Sequence, residues 1–198
     1  MHQAEIIGQI FKQQFNVDPE VICYAPGRVN LLGDHTDYND GFVLPAAIDV
    51  GTTIAASRRD DGQVVAFADG YSAEVDCFSL ENITFSHAEM WRNYVRGTLK
   101  CLRESNSDFG GVNLAITGNV PQGAGLSSSA SFEMAILKTI VDLYQLDLEG
   151  VAAALLGQRA ENEFVGCNCG IMDQLVTSLG LEGHAMLLDC RSLTYQDA

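Results

Sequence analysis

The chain has 198 residues, 47% hydrophobic and 19% charged, a balance that fits one folded domain with a sizeable core and excludes disorder. Its 11 Lys and Arg stand against 26 Asp and Glu, a formal net charge of −15, which sets most of the surface against nucleic acid and anionic membranes. No apolar run reaches the length of a membrane span, and Met1 to Phe11 lacks the apolar stretch of a secretory signal; the six cysteines therefore read as reduced thiols of a cytoplasmic protein.

In chain order, Ile6, Ile7, Ile10 and Phe11 fall at helical spacing and predict a short helix over residues 3–15. Val21 to Ala25 predicts a strand stopped by Pro26-Gly27, and Val29 to Gly33 a second short strand. Asn39-Asp40-Gly41 is a turn signal before an extended Phe42-Val43-Leu44. Thr52 to Arg58 and Gln63 to Ala68 flank Asp60-Asp61-Gly62 and predict a β-hairpin. Met90 to Arg103 predicts a helix with Tyr94, Leu99 and Leu102 on its buried face. Val112 to Thr117 predicts a strand, followed by a Gly/Ser loop and a helix to about Gln145, on which Ala130, Met134, Leu137, Val141 and Tyr144 recur by fours and threes. Leu148 to Phe164 and Gly170 to Leu179 predict two further helices, and His184 to Cys190 a strand. There is no internal repeat, and strands early with helices late favour an α+β layer architecture.

The most informative segment is Gly123-Ala124-Gly125-Leu126-Ser127-Ser128-Ser129-Ala130-Ser131. A flexible linker has this composition, but a linker does not sit between a strand and a helix. The segment instead feeds a helix N-terminus, whose free N–H groups and dipole make an anion site, above all for phosphate. One of the serines is expected to cap the first turn. The Gly-Lys-Ser/Thr ending of the common phosphate loop is absent, so the grip works without that lysine.

Two further segments concentrate polar chemistry. Gly27-Arg28-Val29-Asn30-Leu31-Leu32-Gly33-Asp34-His35-Thr36-Asp37-Tyr38-Asn39 places two carboxylates and an imidazole on one tight loop. Such a loop is either a solvated acidic turn or a set of directed partners for the vicinal hydroxyls of a sugar. In the third, Asp173 stands between Ile171-Met172 and Leu175-Val176, with Glu161 on the preceding predicted helix. It is either an ordinary exposed position or a carboxylate facing the same cleft. Cys167-Asn168-Cys169 has a one-residue spacing rather than the two of zinc and thioredoxin motifs, and no metal site is assigned to it.

The runs Pro26 to Asn39, Asn119-Val120-Pro121-Gln122-Gly123 through Ser131, and Gly166 to Gln174 resemble those of the galactokinases. These belong to the GHMP superfamily of small-metabolite kinases, named for galactokinase, homoserine kinase, mevalonate kinase and phosphomevalonate kinase. The Gly/Ser loop points to the superfamily and the Arg28 to Asn39 run to the galactokinases. The resemblance extends from about Val21 to the end. It implies an α+β fold, the GHMP kinase N-terminal domain (ribosomal protein S5 domain 2-like), with a mixed sheet packed against helices. It also implies phosphorylation of the galactose 1-hydroxyl by ATP with Mg²⁺. By that likeness Gly123, Ala124, Gly125, Leu126, Ser127, Ser128 and Ser129 bind the ATP phosphates, and Trp91 lines the adenine pocket. Ser129 and Glu161 hold Mg²⁺. Asp34, His35, Thr36, Asp37 and Gly170 form the galactose site. Asp173 is the base or negative partner of the sugar hydroxyl, and Arg28 stabilises the transition state and holds that Asp ionised.

Two departures bear on this expectation. Position 34 is Asp where the family usually has Glu, one methylene shorter, which bears on sugar affinity and selectivity. The family also continues into a second domain with another glycine-rich motif and an aromatic contact to the sugar, and neither is found within residues 1–198. The chain is therefore expected to be the N-terminal part of the enzyme, poorly active alone and inclined to self-associate through the uncovered face. A non-catalytic galactose and ATP sensor, or a kinase for a related sugar such as N-acetylgalactosamine or arabinose, are the alternatives; sensors often carry damage in the serine loop, which is intact here.

Overall fold

The computed structural model describes residues 3–105, 107–121 and 123–198. A five-stranded sheet has the order β1-β3-β6-β4-β5, formed by β1 (Val21–Asn30), β3 (Pro45–Arg59), β4 (Gln63–Ala68), β5 (Asp76–Ser79) and β6 (Gly111–Gly118). β4 and β6 run parallel and the other neighbours antiparallel, so the sheet is mixed. A smaller sheet joins β2 (Phe42–Val43), β7 (Met186–Asp189) and β8 (Thr194–Asp197).

Alternation along the central strands decides what each face carries. Ile54, Ala56, Leu114 and Ile116 point into the main core with Leu99 and Leu102 of α2 (Met90–Glu104) and Ile136, Leu137 and Ile140 of α3 (Ser128–Tyr144). Ala55 and Ala115 point the other way and meet Ile7 and Phe11 of α1 (Gln3–Phe15); these small residues let α1 lie close against the sheet. A separate core joins α5 (Met172–Leu179), Ala154 of α4 (Gly150–Arg159) and the small sheet through Val43, Leu175, Val176, Met186 and Leu188.

The structure corrects four expectations. Pro26-Gly27 does not end a strand: β1 runs through it with a register shift between Pro26 and Arg28, a bulge that absorbs the residues a ladder cannot pair. The turn at Asp60-Asp61-Gly62 is present, but β3 and β4 are not a hairpin, because β6 lies between them and pairs with both. β5 and β8 are short strands that no periodicity marked. The helix expected to reach Phe164 ends its α-helical part at Arg159, and Ala160–Val165 form a π-helical turn that closes at Gly166 with φ +86°, a conformation open to glycine.

Candidate functional site

The site forms where the β1 bulge, the Gly/Ser loop and the start of α5 converge. The bulge brings Gly27 against the loop; a Cβ there would stand 2.8 Å from the Leu126 carbonyl oxygen and 3.3 Å from that of Val50, so only glycine fits. The next residue fastens the loop twice: the Arg28 backbone N–H donates to the Leu126 carbonyl at 3.2 Å, and Nη1 donates to the Gly125 carbonyl at 2.6 Å. The remaining face of the guanidinium grips Asp173, with Nε to Oδ1 at 2.7 Å and Nη2 to Oδ2 at 2.6 Å. A two-point fork of this kind fixes direction as well as distance.

Gly123 and Gly125 take φ +70°, which carries the chain sharply into α3. Ser127 follows with φ 54° and ψ 53°, a left-handed conformation that a non-glycine residue adopts only where its surroundings hold it. It sits at the N-cap position of α3, yet it does not cap: no side-chain cap bond is formed, and its hydroxyl donates instead to Asp173 Oδ2. This corrects the expectation of a serine cap. An ordinary cap needs extended backbone angles, and the left-handed turn swings Oγ away from the first N–H groups toward α5. Among the described residues no side-chain cap reaches those N–H groups, which lie at the positive end of a 17-residue helix, the arrangement that receives anions.

Beside Ser128 and Ser129 lies a cavity of about 310 Å³ lined by Tyr71, Glu89, Met90, Trp91, Tyr94 and Phe132. Its aromatic wall joins α2 to the first turn of α3. Trp91 thus lines a slot next to the serines, with its indole Nε1 buried and unpartnered among the described residues. A larger open hollow of about 960 Å³, beside α1 and β1, is lined by Tyr24, Asp49 and Glu182 and contains none of the expected groups; the convergence of chemistry, not volume, marks the site.

Glu161 lies in the π-helical turn, 5% exposed. The Tyr94 hydroxyl donates to its Oε1 at 3.3 Å, and the Gln174 amide to its Oε2 at 2.9 Å. Gln174 Nε2 also donates to Glu133 at 3.1 Å. Glu133 is fully buried; desolvation first, then the neighbouring Glu161 and Asp173 charges, push its carboxyl well above the usual carboxylate range. Among the described residues no group of three or more His, Cys, Asp and Glu is placed to hold a metal. All six cysteines are free thiols. A carboxylate and a hydroxyl are hard oxygen donors of the kind Mg²⁺ takes beside phosphate oxygens and water, and Tyr94 links the two surroundings, donating to Glu161 and lining the cavity beside Ser129.

The loop after β1 is held mainly by its own contacts. The Asn30 amide donates to Asp34 at 3.0 Å, His35 Nδ1 meets the Tyr38 hydroxyl at 2.6 Å, and the Thr36 hydroxyl is shared between the Gly33 and Phe42 carbonyls. Asp34, His35 and Thr36 are exposed. Asp37 instead turns inward and accepts the backbone N–H groups of Ile171 and Met172. Gly170 is required there by space, since a methyl group at that position would overlap the Asp37 carboxylate. Asp37, Gly170, Asp173 and Arg28 thus share the region around the start of α5, and Asp34 is bonded to Asn30 on the loop that carries Asp37, while Trp91, Ser129 and Glu161 lie on the α2 side around Tyr94. Gln122 of the loop motif lies outside the described residues. The sequence marked Tyr94 as a buried helix position and Gln174 as the end of a motif but gave neither, nor Glu133, a place at the site; the one signal for Tyr94 was its position three residues beyond Trp91, on the same helix face.

Comparisons with known proteins identify the family and the fold. Residues 9–58 match the galactokinase galactose-binding signature, and residues 93–181 the N-terminal domain of the GHMP kinases. The crystal structure of Lactococcus lactis galactokinase complexed with galactose is similar over 100% of this chain and 52% of its own, at 35% identity and a TM-score of 0.93. Methanococcus jannaschii mevalonate kinase is similar over 90% of this chain and 55% of its own, at 20% identity and a TM-score of 0.71. Streptococcus pneumoniae phosphomevalonate kinase, in complex with phosphomevalonate and AMPPNP, is similar over 87% and 51%, at 15% identity and a TM-score of 0.66; these last two share the fold. The chain spans about half the length of the relatives it matches. No helix among the described residues is long and apolar enough to cross a membrane.

Proposed function

Since this chain belongs to the galactokinase family of GHMP kinases, we propose that residues 1–198 are the N-terminal, sugar- and ATP-binding part of an enzyme that phosphorylates the 1-hydroxyl of galactose. The observation that carries this reading is the Arg28 fork: one guanidinium holds Asp173 with two nitrogens and the Gly125 carbonyl of the loop with the third. A phosphoryl group on the loop and a hydroxyl on Asp173 would thereby meet at a fixed separation.

Phosphoryl transfer needs alignment and charge neutralisation more than covalent help. In this reading the 1-hydroxyl oxygen of galactose bonds to the γ-phosphorus of ATP, the bond from that phosphorus to the ADP oxygen breaks, and the hydroxyl proton passes to the Asp173 carboxylate. Arg28 keeps Asp173 directed at the hydroxyl and balances charge spreading over the transferred group. Asp34, His35, Thr36 and Asp37, with Gly170 giving room, hold the sugar hydroxyls. The loop Gly123, Ala124, Gly125, Leu126, Ser127, Ser128, Ser129 receives the phosphates on open backbone N–H groups, and Trp91 closes the slot for adenine. Ser129 and Glu161 would hold Mg²⁺, which supplies neutralisation of the phosphate charge. Six free thiols support a cytoplasmic setting. The family's second domain would complete the cleft.

The test uses protein expressed from the whole reading frame that contains this chain, with galactose-dependent release of ADP as the readout. Asp173→Ala is expected to lower kcat by about 10³ while weakening galactose binding by no more than about tenfold, the worth of one hydrogen bond; unchanged turnover rejects the assignment. Galactose and ATP binding without turnover in the unaltered protein would favour a sensor, and turnover of another sugar in preference to galactose would place selectivity at Asp34 and its loop.

A further inference from the structure

The serine expected to cap α3 serves Asp173 instead, and the reason lies in its backbone. At φ 54° and ψ 53° Ser127 turns its side chain out of the helix and onto Asp173 Oδ2. That same oxygen already accepts Arg28 Nη2 at 2.6 Å, while Oδ1 holds Arg28 Nε. Three donors therefore fall on a carboxylate that is only a quarter exposed, and the oxygen facing the loop is the more heavily occupied of the two. Ser127 is also the residue at the mouth of the anion site, one position before the open N–H groups of the first turn.

A hydroxyl has one proton to donate. It can satisfy Asp173 or a phosphate oxygen on the loop, and a phosphate carrying more than one negative charge is the stronger acceptor. We propose that Ser127 is a positioning residue whose hydroxyl is exchanged between the two. With the loop empty it occupies Asp173 Oδ2. When a nucleotide phosphate arrives it turns to the phosphate and frees that oxygen for the sugar hydroxyl. The inference rests on the galactokinase reading and adds to it a coupling: nucleotide on the loop strengthens sugar binding through one shared proton donor. Linkage makes the effect reciprocal.

The test is calorimetric and needs no turnover. Galactose affinity is measured on protein from the whole reading frame, with and without Mg²⁺ and a non-hydrolysable ATP analogue, for the unaltered protein, Ser127→Ala and Ser127→Gly. Both substitutions delete the hydroxyl, but glycine also relieves the left-handed backbone and alanine does not, so agreement between them isolates the hydroxyl. In the unaltered protein the analogue is expected to tighten galactose about three- to tenfold, the worth of one hydrogen bond. In both variants the factor is expected to fall to about one, with galactose alone binding more tightly than to the unaltered protein, because Oδ2 is always free. Ser127→Gly with unaltered coupling, coupling lost in Ser127→Ala alone, or galactose binding with no coupling in the unaltered protein each overturns the inference by itself. No galactose binding to the unaltered protein overturns the galactose reading and the inference together.

Discussion

Asp37 Oδ1 accepts the backbone N–H of Ile171 at 2.9 Å, and that of Met172 at 3.1 Å, so a residue of the loop after β1 caps a helix 134 positions further along the chain. Ile171 is the N-cap residue of α5 and makes no side-chain cap of its own. The helix that carries Asp173 is therefore oriented by the loop proposed to hold the sugar. Burial, opposed by these two backbone bonds, moves the Asp37 carboxyl above its ordinary value.

Asp37→Ala should accordingly destabilise the chain by about 1 kcal/mol, the usual worth of a helix cap, and speed hydrogen exchange of the α5 amides. Asp37→Asn keeps an acceptor oxygen and should restore most of the protection. Gly170→Ala should act in the same place by displacing the Asp37 carboxylate. Protection of α5 unchanged in all three variants would refute the capping role.

Away from the site, Asp76 and Arg96 form a buried pair with bonds of 2.8 and 2.7 Å, and Arg96 also donates to the Thr84 carbonyl. Asp76 is 2% exposed. Asp76→Ala leaves a buried guanidinium without its partner and should cost about 3–5 kcal/mol, read by chemical denaturation. Asp76→Asn should cost less because one acceptor oxygen remains. A loss under 1 kcal/mol for Asp76→Ala would mean that water replaces the carboxylate (about one net hydrogen bond).

The buried carboxyl of Glu133 makes stability depend on pH in a defined direction. Its value is raised in the folded chain, so from the ordinary Glu range upward the unfolded chain releases a proton that the folded chain retains. Its contribution is intact below that range and is lost as pH rises toward the folded-state value. Glu133→Gln, which mimics the protonated acid, should lose less stability than the unaltered chain between pH 4 and pH 8. Parallel stability curves for the two proteins over that window would show that Glu133 ionises normally in the fold.

Leu31, Leu32, Tyr38 and Phe42, between 53% and 67% exposed, surround the proposed sugar loop. We expect the 198-residue chain on its own to associate as its concentration rises, and protein from the whole reading frame, if it supplies a covering half, to do so less. Light scattering that finds the chain alone monodisperse and monomeric at high concentration would contradict this.

The helices α1, α2 and α3 and the strand β6 were legible in the chain because their apolar spacing reports burial locally. The family motifs were legible for a related reason: Gly27, Gly123 and Gly125 stand where the backbone approaches closely or turns left-handed, and such positions restrict the residue type. The β3–β4 relationship was not legible. A turn signal fixes where the chain reverses, but it does not say whether the two strands pair with each other or admit a third between them.

The sequence by itself singled out the residues proposed to carry the chemistry: Arg28, the Asp34 to Asp37 loop, the serines, Glu161 and Asp173. It also determined that a helix N-terminus would present the serines. The tertiary structure alone paired Ser127 with Asp173, whereas the hold of Arg28 on Asp173 was implied by the family resemblance and by no local pattern. Arg28 and Asp173 are separated by 145 positions, and Ser127 and Asp173 by 46, distances over which no local pattern carries information. Their meeting follows from the bulge at Gly27, from Asp37 capping α5, and from β6 entering between β3 and β4. Each of these was settled by which faces could be buried together and which polar groups had to find a partner once they were.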